Sequence, residues 1–276
     1  MRSDYHIHTE FSDDSEYKIE ELVNDAILLG INEICFTDHV DYGIKVDWSE
    51  AEYIQYRYGM PMANVDYSKY FSTIDALKVK YKELITLRTG MEFGVQVHTI
   101  EKYRSLFEKY HFDFIILSCH QVEDKEFWNQ AFQENRSQEE YQERYYQEIL
   151  NVIRVYKDYS VIGHLDLLKR YDKKGDYPFE KIKPLIEEIL KQVINDGKGI
   201  EVNTSSFYYG LGDLMPSRDI LRLYYELGGR IITIGSDTHK KEHLGYNIEV
   251  VKEELKNIGF KYHCTFDSMI PIYHEL

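Results

Sequence analysis

Seven short apolar runs recur along the chain, and each one ends in or contains residues that can bind a metal or carry a proton. The runs are "SDYHIHT", "INEICFTDH", "LITLRTGMEFG", "FDFIILSCHQ", "YSVIGHLDL", "KGIEVNTSS" and "RIITIGSDTH". Helical patterns lie between them, as where Tyr145, Ile149 and Val152 follow the capping box formed by Ser137 and Glu140. Strands that alternate with helices predict a parallel sheet covered by helices.

The position of the reactive residues decides between the two architectures that parallel units can build. In an open sheet, only the strands near the switch point contribute to one ligand site. In a barrel, the C-terminal ends of all strands meet at one mouth. Because almost every run carries its reactive residues at that end, we predict a distorted (β/α)7 TIM-like barrel. No linker or repeat interrupts the pattern, so residues 1–276 are expected to form a single domain.

The first run raises the question of a metal site most directly. On an extended strand, His6 and His8 point to the same side. A single strand histidine is more often structural than a ligand. Six of the eleven histidines, however, lie at comparable strand ends, which scattered positions would seldom do, and this favours a metal centre. These six are His6, His8, His39, His120, His164 and His239. The other five are assigned structural roles.

The set of candidate ligands is too large for one ion. Besides the six imidazoles, the strand ends and the first turn offer the carboxylates of Glu92, Asp237 and one of Asp13 or Asp14. A single catalytic zinc typically takes only three protein ligands. Mixed nitrogen and carboxylate ligands suit Zn, Mn or Fe, whereas Ca and Mg prefer oxygen. We expect Glu92 to bridge two ions, as two-metal hydrolases require.

Composition and charge exclude several other classes of protein. The formal net charge of −15 disfavours nucleic acid as a partner. No apolar stretch of about 20 residues could span a bilayer, and the first residues lack the apolar region of a signal peptide. The three cysteines are odd in number and read as reduced thiols. We therefore expect a cytoplasmic protein that binds neither membranes nor nucleic acid; its oligomeric state is left open.

The ordered motifs "YHIHTEFSDDS", "FTDH", "GMEFG", "SCHQ", "GHLDL" and "GSDTH" resemble those of the polymerase and histidinol phosphatase (PHP) family. Longer segments such as "GHLDLLKRYD" and "EVNTSSFYYG" are similar to its single-function branch, which acts on histidinol phosphate. The resemblance covers nearly the whole chain. It implies a metal-dependent phosphomonoesterase of histidine biosynthesis, with a barrel that holds three ions of Zn, Mn or Fe.

The resemblance also implies which residues bind each ion. The ligands of the first ion would be His6, His8, Glu92 and Asp237. Those of the second would be Glu92, His120 and His164. Those of the third would be His39, His239 and an acidic residue, for which Asp14 is favoured over Asp13.

A water that bridges two cations becomes hydroxide near neutral pH and can attack the phosphorus of a monoester. Glu92, Asp237 and His239 are the predicted catalytic residues, the last two as candidates for moving protons. Arg170 follows the fifth strand and could bind phosphate with its guanidinium. The sequence fits equally well with an arginine on the exposed surface of a helix. Two alternatives stay open: the same chemistry on a phosphotyrosine protein or small nucleotide, and a metal-binding scaffold without catalysis.

Three connections between strands and helices are long or rich in aromatic residues. Those after the second, fourth and sixth strands are expected to form lids or walls over the barrel mouth. The aromatic candidates for a substrate pocket there are Trp128, Phe207, Tyr208 and Tyr209. The substrate of the implied reaction carries an imidazole and an ammonium, which aromatic faces and acidic groups complement.

Overall fold

The computed structural model describes residues 1–57 and 60–276, and its main feature is a seven-stranded, mostly parallel sheet that curls into a nearly closed barrel. The barrel strands are β1 (Ser3–Asp4), β2 (Glu33–Phe36), β3 (Thr86–Gly94), β4 (Phe114–Ser118), β5 (Val161–Ile162), β6 (Gly199–Asn203) and β7 (Ile232–Gly235). Each strand pairs in parallel with the next one along the chain. The predicted (β/α)7 barrel is confirmed.

The segment that follows β1 closes the barrel against β7. Tyr5 donates its backbone N–H to the carbonyl of Ile234 at 3.1 Å, and His8 donates to Thr238 at 2.8 Å. On the other side, the N–H of Thr37 reaches the carbonyl of Ile7 at 2.9 Å. Residues 5–8 are therefore held in an extended conformation between two neighbours, and this fixes both histidines of the first motif.

Helices surround the barrel. The α-helices are α1 (Ile19–Leu28), α2 (Tyr67–Tyr81), α3 (Ile100–Lys109), α4 (Gln138–Val155), α5 (Phe179–Asn195), α6 (Ser205–Tyr208), α7 (Arg218–Glu226) and α8 (Ile248–Ile258). As predicted, Ser137 caps α4 by accepting the N–H of Glu140. Apolar side chains at helical spacing on α4, such as Ile149 and Ile153, are buried in the core. Three helices, α3, α6 and α8, were not predicted.

Short elements occupy the connections above the mouth. The 3-10 helices are Trp48–Tyr53, Val97–Thr99, Leu167–Tyr171 and Lys241–His243, and the short strands are His39–Val40, Tyr56–Arg57, Met60–Pro61, Gln121–Val122 and Lys125–Glu126. His39–Val40 pairs with β3 and places His39 opposite Glu92. None of the helices in the described ranges has the length and apolar composition that a bilayer crossing requires.

A C-terminal hairpin covers the end of the barrel opposite the mouth, and the sequence did not predict it. Its strands are β8 (Tyr262–Asp267) and β9 (Ile270–Glu275). The backbone N–H of Phe266 donates to the hydroxyl of Tyr5 at 2.7 Å, and Met269 donates to the carbonyl of Asp113 at 2.9 Å. Cys264 and Phe266 pack on residues inside the barrel, including Phe114. The hairpin therefore closes the bottom of the barrel.

Candidate active site

The C-terminal ends of the strands surround a cavity of about 780 Å³. Its walls include seven of the nine predicted metal ligands, and the other two, His6 and His8, lie buried beneath it. The seven are Asp14, His39, Glu92, His120, His164, Asp237 and His239. Residues that are up to 233 positions apart in the sequence, from His6 to His239, thus meet in one place.

The first cluster joins two imidazoles to two carboxylates. His6 Nε2 lies 3.2 Å from Glu92 Oε2 and 3.6 Å from Asp237 Oδ1. His8 Nε2 lies 3.5 and 3.4 Å from the same two oxygens. All four side chains are buried, and within the described residues His6 Nε2, His8 Nε2 and Glu92 Oε2 have no hydrogen-bond partner. Buried polar atoms that converge without partners are what a cation site requires.

The second cluster uses the other oxygen of Glu92. Glu92 Oε1 lies 3.0 Å from His120 Nε2 and 2.8 Å from His164 Nε2. It also accepts a hydrogen bond from the hydroxyl of Ser118 at 2.6 Å. The two oxygens of one carboxylate therefore face different imidazoles, and Oε2 also lies 3.0 Å from His39 Nδ1. This is the arrangement of a carboxylate that bridges two ions.

The third cluster lies nearer to solvent. Asp14 Oδ2 lies 3.4 Å from His39 Nε2 and 3.2 Å from His239 Nε2, and the Asp14 side chain is 51% exposed. Its neighbour Asp13 turns away and binds Lys45, with 2.5 Å between Oδ1 and Nζ. The structure thus brings Asp14, and not Asp13, to the two histidines.

Four buried groups hold the imidazoles from behind. Glu201 Oε1 lies 2.5 Å from His6 Nδ1, and Asp41 Oδ1 lies 2.7 Å from His120 Nδ1. The Ser12 hydroxyl lies 3.2 Å from His8 Nδ1, and the backbone carbonyl of Asp237 lies 2.9 Å from His239 Nδ1. In each case the contact to Nδ1 leaves Nε2 directed into the site.

Glu201 and Asp41 were not singled out from the sequence. Glu201 interrupts the apolar strand "GIEVN", and a carboxylate inside a buried parallel strand was a usable signal. It also accepts the backbone N–H of His164 at 2.9 Å, so one side chain supports two predicted ligands. Asp41 follows His39 by two residues, and nothing in that spacing showed that it would meet His120 from another strand.

The charges in the site compensate one another. Burial would raise the pKa of Glu92, but the surrounding imidazoles of His6, His120 and His39 lower it well below its ordinary value. Burial would lower the pKa of His120, but the carboxylates of Glu92 and Asp41 raise it to about 9. Protons on the imidazoles and metal ions compete for the same nitrogen atoms, so metal binding here must weaken as pH falls.

Two of the predicted ligands lie on unusual backbone. His164 has φ 21° and Asp237 has φ 56°, a region that residues other than glycine seldom adopt. Such conformations are retained where the surrounding structure enforces them, and they are concentrated at functional sites. Close packing adds to the constraint, because a Cβ at Gly235 would lie 2.3 Å from His6 Cβ.

Comparison with known protein families matches residues 4–205 to the PHP domain. This chain belongs to the PHP family. The histidinol-phosphatase of Lactococcus lactis is 30% identical over 269 residues, which are 96% of this chain and 94% of that protein. The probable histidinol-phosphatase of Thermotoga maritima is 29% identical over 259 residues, which are 94% and 93% of the two chains.

A solved structure extends the likeness to three dimensions. It is the crystal structure of histidinol phosphate phosphatase from Lactococcus lactis, complexed with zinc, L-histidinol and phosphate. It is similar to this PHP chain with a TM-score of 0.83 and 30% identity, over 98% of each chain. The predicted family is confirmed, and the His, Glu and Asp groups at the mouth of this PHP barrel can hold metal ions.

Arg170 lies in the wall of the PHP cavity and not on an exposed helix surface. Its Nη2 donates to the Ser205 hydroxyl and lies 3.3 Å from Asp237 Oδ2. The guanidinium also lies 4.1 Å from the centre of the Tyr209 ring. A buried cation beside the predicted metal ligands suits a phosphate, although its role stays a prediction.

The aromatic candidates divide into two groups. Trp128, Tyr208 and Tyr209 line the cavity of this PHP barrel, whereas Phe207 packs against the hydrophobic core. His243, which the sequence gave no reason to place there, also lines the cavity and stacks on Tyr208 at 3.8 Å.

Proposed function

We propose that this chain is a metal-dependent histidinol-phosphatase that hydrolyses L-histidinol phosphate to L-histidinol and phosphate. The observation that carries the proposal is the likeness, over 98% of each chain, to the Lactococcus enzyme whose structure contains zinc, L-histidinol and phosphate. Curated relatives that match over nearly their whole length bear the same activity in their names. The substrate would be a small molecule, and we infer a place in histidine biosynthesis in the cytoplasm.

The residues present fit three metal ions. We assign the first ion to the buried cluster of His6, His8, Glu92 and Asp237. We assign the second to Glu92, His120 and His164, and the third to Asp14, His39 and His239. In the part of the chain that the structure describes, the Nε2 atoms of His6 and His8 and Oε2 of Glu92 have no hydrogen-bond partner, which supports the first site, and such a mixed donor set suits Zn, Mn or Fe.

When bound, the ions would supply a water of lowered pKa and neutralise charge on the phosphoryl group. The residues of the chain would then hold the metal ions in place and orient the phosphoryl group. Glu92 fixes the spacing of two sites, and Arg170 offers a planar pair of donors to phosphoryl oxygens. An alkoxide leaving group needs a proton, and Asp237 and His239 are the candidates that lie at the cavity wall to deliver it.

The walls of the cavity also suit the rest of the substrate. L-histidinol phosphate carries an imidazole and an ammonium in addition to its phosphate. The faces of Trp128, Tyr208 and Tyr209 can pack against a flat ring or a cation. Carboxylates around the mouth favour the positive charge of the ammonium.

The test compares several substrates, using protein of defined metal content. The purified protein is stripped with a chelator, reloaded with Zn²⁺ or Mn²⁺, and assayed for phosphate release from a panel of monoesters. The panel contains L-histidinol phosphate, phosphotyrosine, a nucleoside monophosphate and p-nitrophenyl phosphate. We expect the highest kcat/KM for L-histidinol phosphate. The metal-stripped protein should release no phosphate from any member of the panel. Equal turnover across the panel would contradict the assignment of L-histidinol phosphate as the substrate. A metal-loaded protein that releases no phosphate would indicate a metal-binding scaffold without catalysis.

A further inference from the structure

Lys45 lies in the long segment that follows β2, and its ammonium group is enclosed. The side chain is 9% exposed, and Nζ lies 2.5 Å from Asp13 Oδ1 and 2.9 Å from Asp41 Oδ2. It lines the mouth cavity, yet it belongs to none of the three proposed ligand sets. Enclosing a charge is costly unless its partners are fixed, so the two carboxylates and the ammonium must hold one another in place.

One arm of this ion pair leads to the second metal site. Asp41 uses Oδ2 for Lys45 and Oδ1 for His120 Nδ1, at 2.7 Å. The opposite nitrogen of His120 lies 3.0 Å from Glu92 Oε1. The backbone is shaped for this contact, because a Cβ at Gly94 would lie 2.0 Å from Asp41 Oδ1. The orientation of the His120 ring therefore depends on a carboxylate that Lys45 holds.

The other arm leads to the third site. Asp13 is bound by Lys45, and the next residue, Asp14, faces His39 and His239 with Oδ2. Consecutive Cα atoms are fixed about 3.8 Å apart, so holding Asp13 restricts where the Asp14 carboxylate can lie. The adjacent aspartates of the first motif thus have different partners: one meets an ammonium and the other meets imidazoles.

We propose that Lys45 is a positioning residue that sets the geometry of the second and third metal sites together. The inference rests on the metal sites of the proposed function and adds to them a dependence between two sites through one ammonium group. The first site shares Glu92 with the second, but the carboxylates that Lys45 binds do not hold its imidazoles, because Glu201 and Ser12 contact Nδ1 of His6 and His8. A competing role, as a cation that binds the substrate phosphate, makes a different prediction.

The experiment measures metal binding and not turnover. Metal-stripped full-length protein is titrated with Zn²⁺ alone, against a chelator of known affinity, for the wild type and for Lys45→Met. We expect one ion to bind as in the wild type and two to bind about 10 to 100-fold more weakly. Lys45→Arg should restore part of that affinity. Lys78→Met is the matched control, because Lys78 also pairs with an aspartate, Asp113 at 2.9 Å, near the bottom of the barrel. It should bind all three ions normally.

A second variant keeps the test decisive if Lys45→Met folds poorly, as judged by circular dichroism. Asp13→Asn leaves the pair of Lys45 and Asp41 intact and should weaken only the ion at Asp14. Unchanged affinity for all ions in Lys45→Met would overturn the inference, and a raised KM with that result would identify Lys45 as a phosphate ligand. A wild type that binds no Zn²⁺ would overturn the proposed metal sites themselves, which separates the two failures.

Discussion

Buried histidines lie at both ends of the barrel, but their surroundings are opposite. At the mouth, His6 and His8 are fully buried, and their Nε2 atoms converge on carboxylate oxygens of Glu92 and Asp237. At the bottom, His263 on the hairpin strand β8 is equally buried, at 1% exposure. The charged groups that influence it include Lys252 and the amino terminus, and burial together with these cations lowers its pKa to about 3.

The difference shows what distinguishes a ligand from a structural histidine in this fold. Burial is common to both ends. At the mouth, carboxylates oppose the effect of burial and raise the pKa of His6 well above its ordinary value, whereas burial and the neighbouring imidazoles of His39 and His239 lower the pKa of His8. The pKa alone therefore does not separate the two ends; the carboxylate oxygens that converge on Nε2 do. At the bottom, burial and the nearby cations outweigh the contact with the His274 backbone, which raises the pKa of His263, and the neutral ring packs in the hairpin. Convergence of acceptors, and not burial, is what marks the site.

The strongest test of this contrast is Glu92→Gln, which keeps the volume of the side chain and removes the charge that both buried clusters share. We expect kcat on L-histidinol phosphate to fall by about 10³-fold or more, because two metal sites lose their common ligand. His263→Gln at the other end should leave kcat within about twofold. Steady-state assays at saturating metal compare the two variants. Near-normal turnover in Glu92→Gln would disprove the bridging role.

A second test compares the two neighbouring aspartates at the mouth, Asp13 and Asp14, as ligands of the third metal site. Asp14→Ala removes a proposed ligand, whereas Asp13→Ala removes only a group that positions its neighbour. We expect metal affinity of the third site to fall by at least about 100-fold for Asp14→Ala, and by about 10-fold for Asp13→Ala. Elemental analysis after dialysis against a weak chelator measures both. The reverse ranking would make Asp13 the ligand.

Much of this geometry could be predicted from the sequence, because it follows from strand ends in a parallel barrel. His39, His120 and His164 each follow an apolar run, and the fold alone brings such positions to one mouth. The alternation within "YHIHT" was sufficient to place His6 and His8 on one side.

Other features depend on contacts that no local pattern records. The hairpin β8–β9 contains Pro271, which weakens a strand prediction, and it is held by contacts to Tyr5 and Asp113, which are both distant from it in the sequence. Likewise, only the folded position of Lys45 shows which of the two adjacent aspartates faces the histidines. The helices α3 and α8 are different, because their amphipathic spacing was present in the sequence and could have been used.

The lowered pKa of His263, at the bottom of the barrel, predicts how the stability of the protein depends on pH. The folded pKa of His263, about 3, lies below its ordinary value of 6.5, so the unfolded chain binds the proton more tightly. The neutral ring therefore contributes stability above pH 6.5, and this contribution is lost as pH falls from 6.5 towards 3. Between pH 6.5 and 5 the loss is about 2 kcal/mol. His263→Gln should flatten this part of the profile relative to the wild type, as measured by urea unfolding of metal-stripped protein; parallel profiles would contradict the assignment.

Two arginines of low exposure, Arg170 at the mouth and Arg88 at the bottom, allow the smallest effect to be compared between the two ends of the barrel. Arg170→Met at the mouth should raise KM for L-histidinol phosphate by about 10-fold with a smaller change in kcat, since a cation that binds phosphate equally before and during reaction contributes mainly to binding. Arg88→Met at the bottom breaks contacts of Arg88 to Asp267 at 2.6 Å and to Glu33 at 3.2 Å, and should lower stability while KM stays constant. Equal KM values in the two variants would show that the position of Arg170 beside Asp237 serves the wall of the cavity and not the substrate.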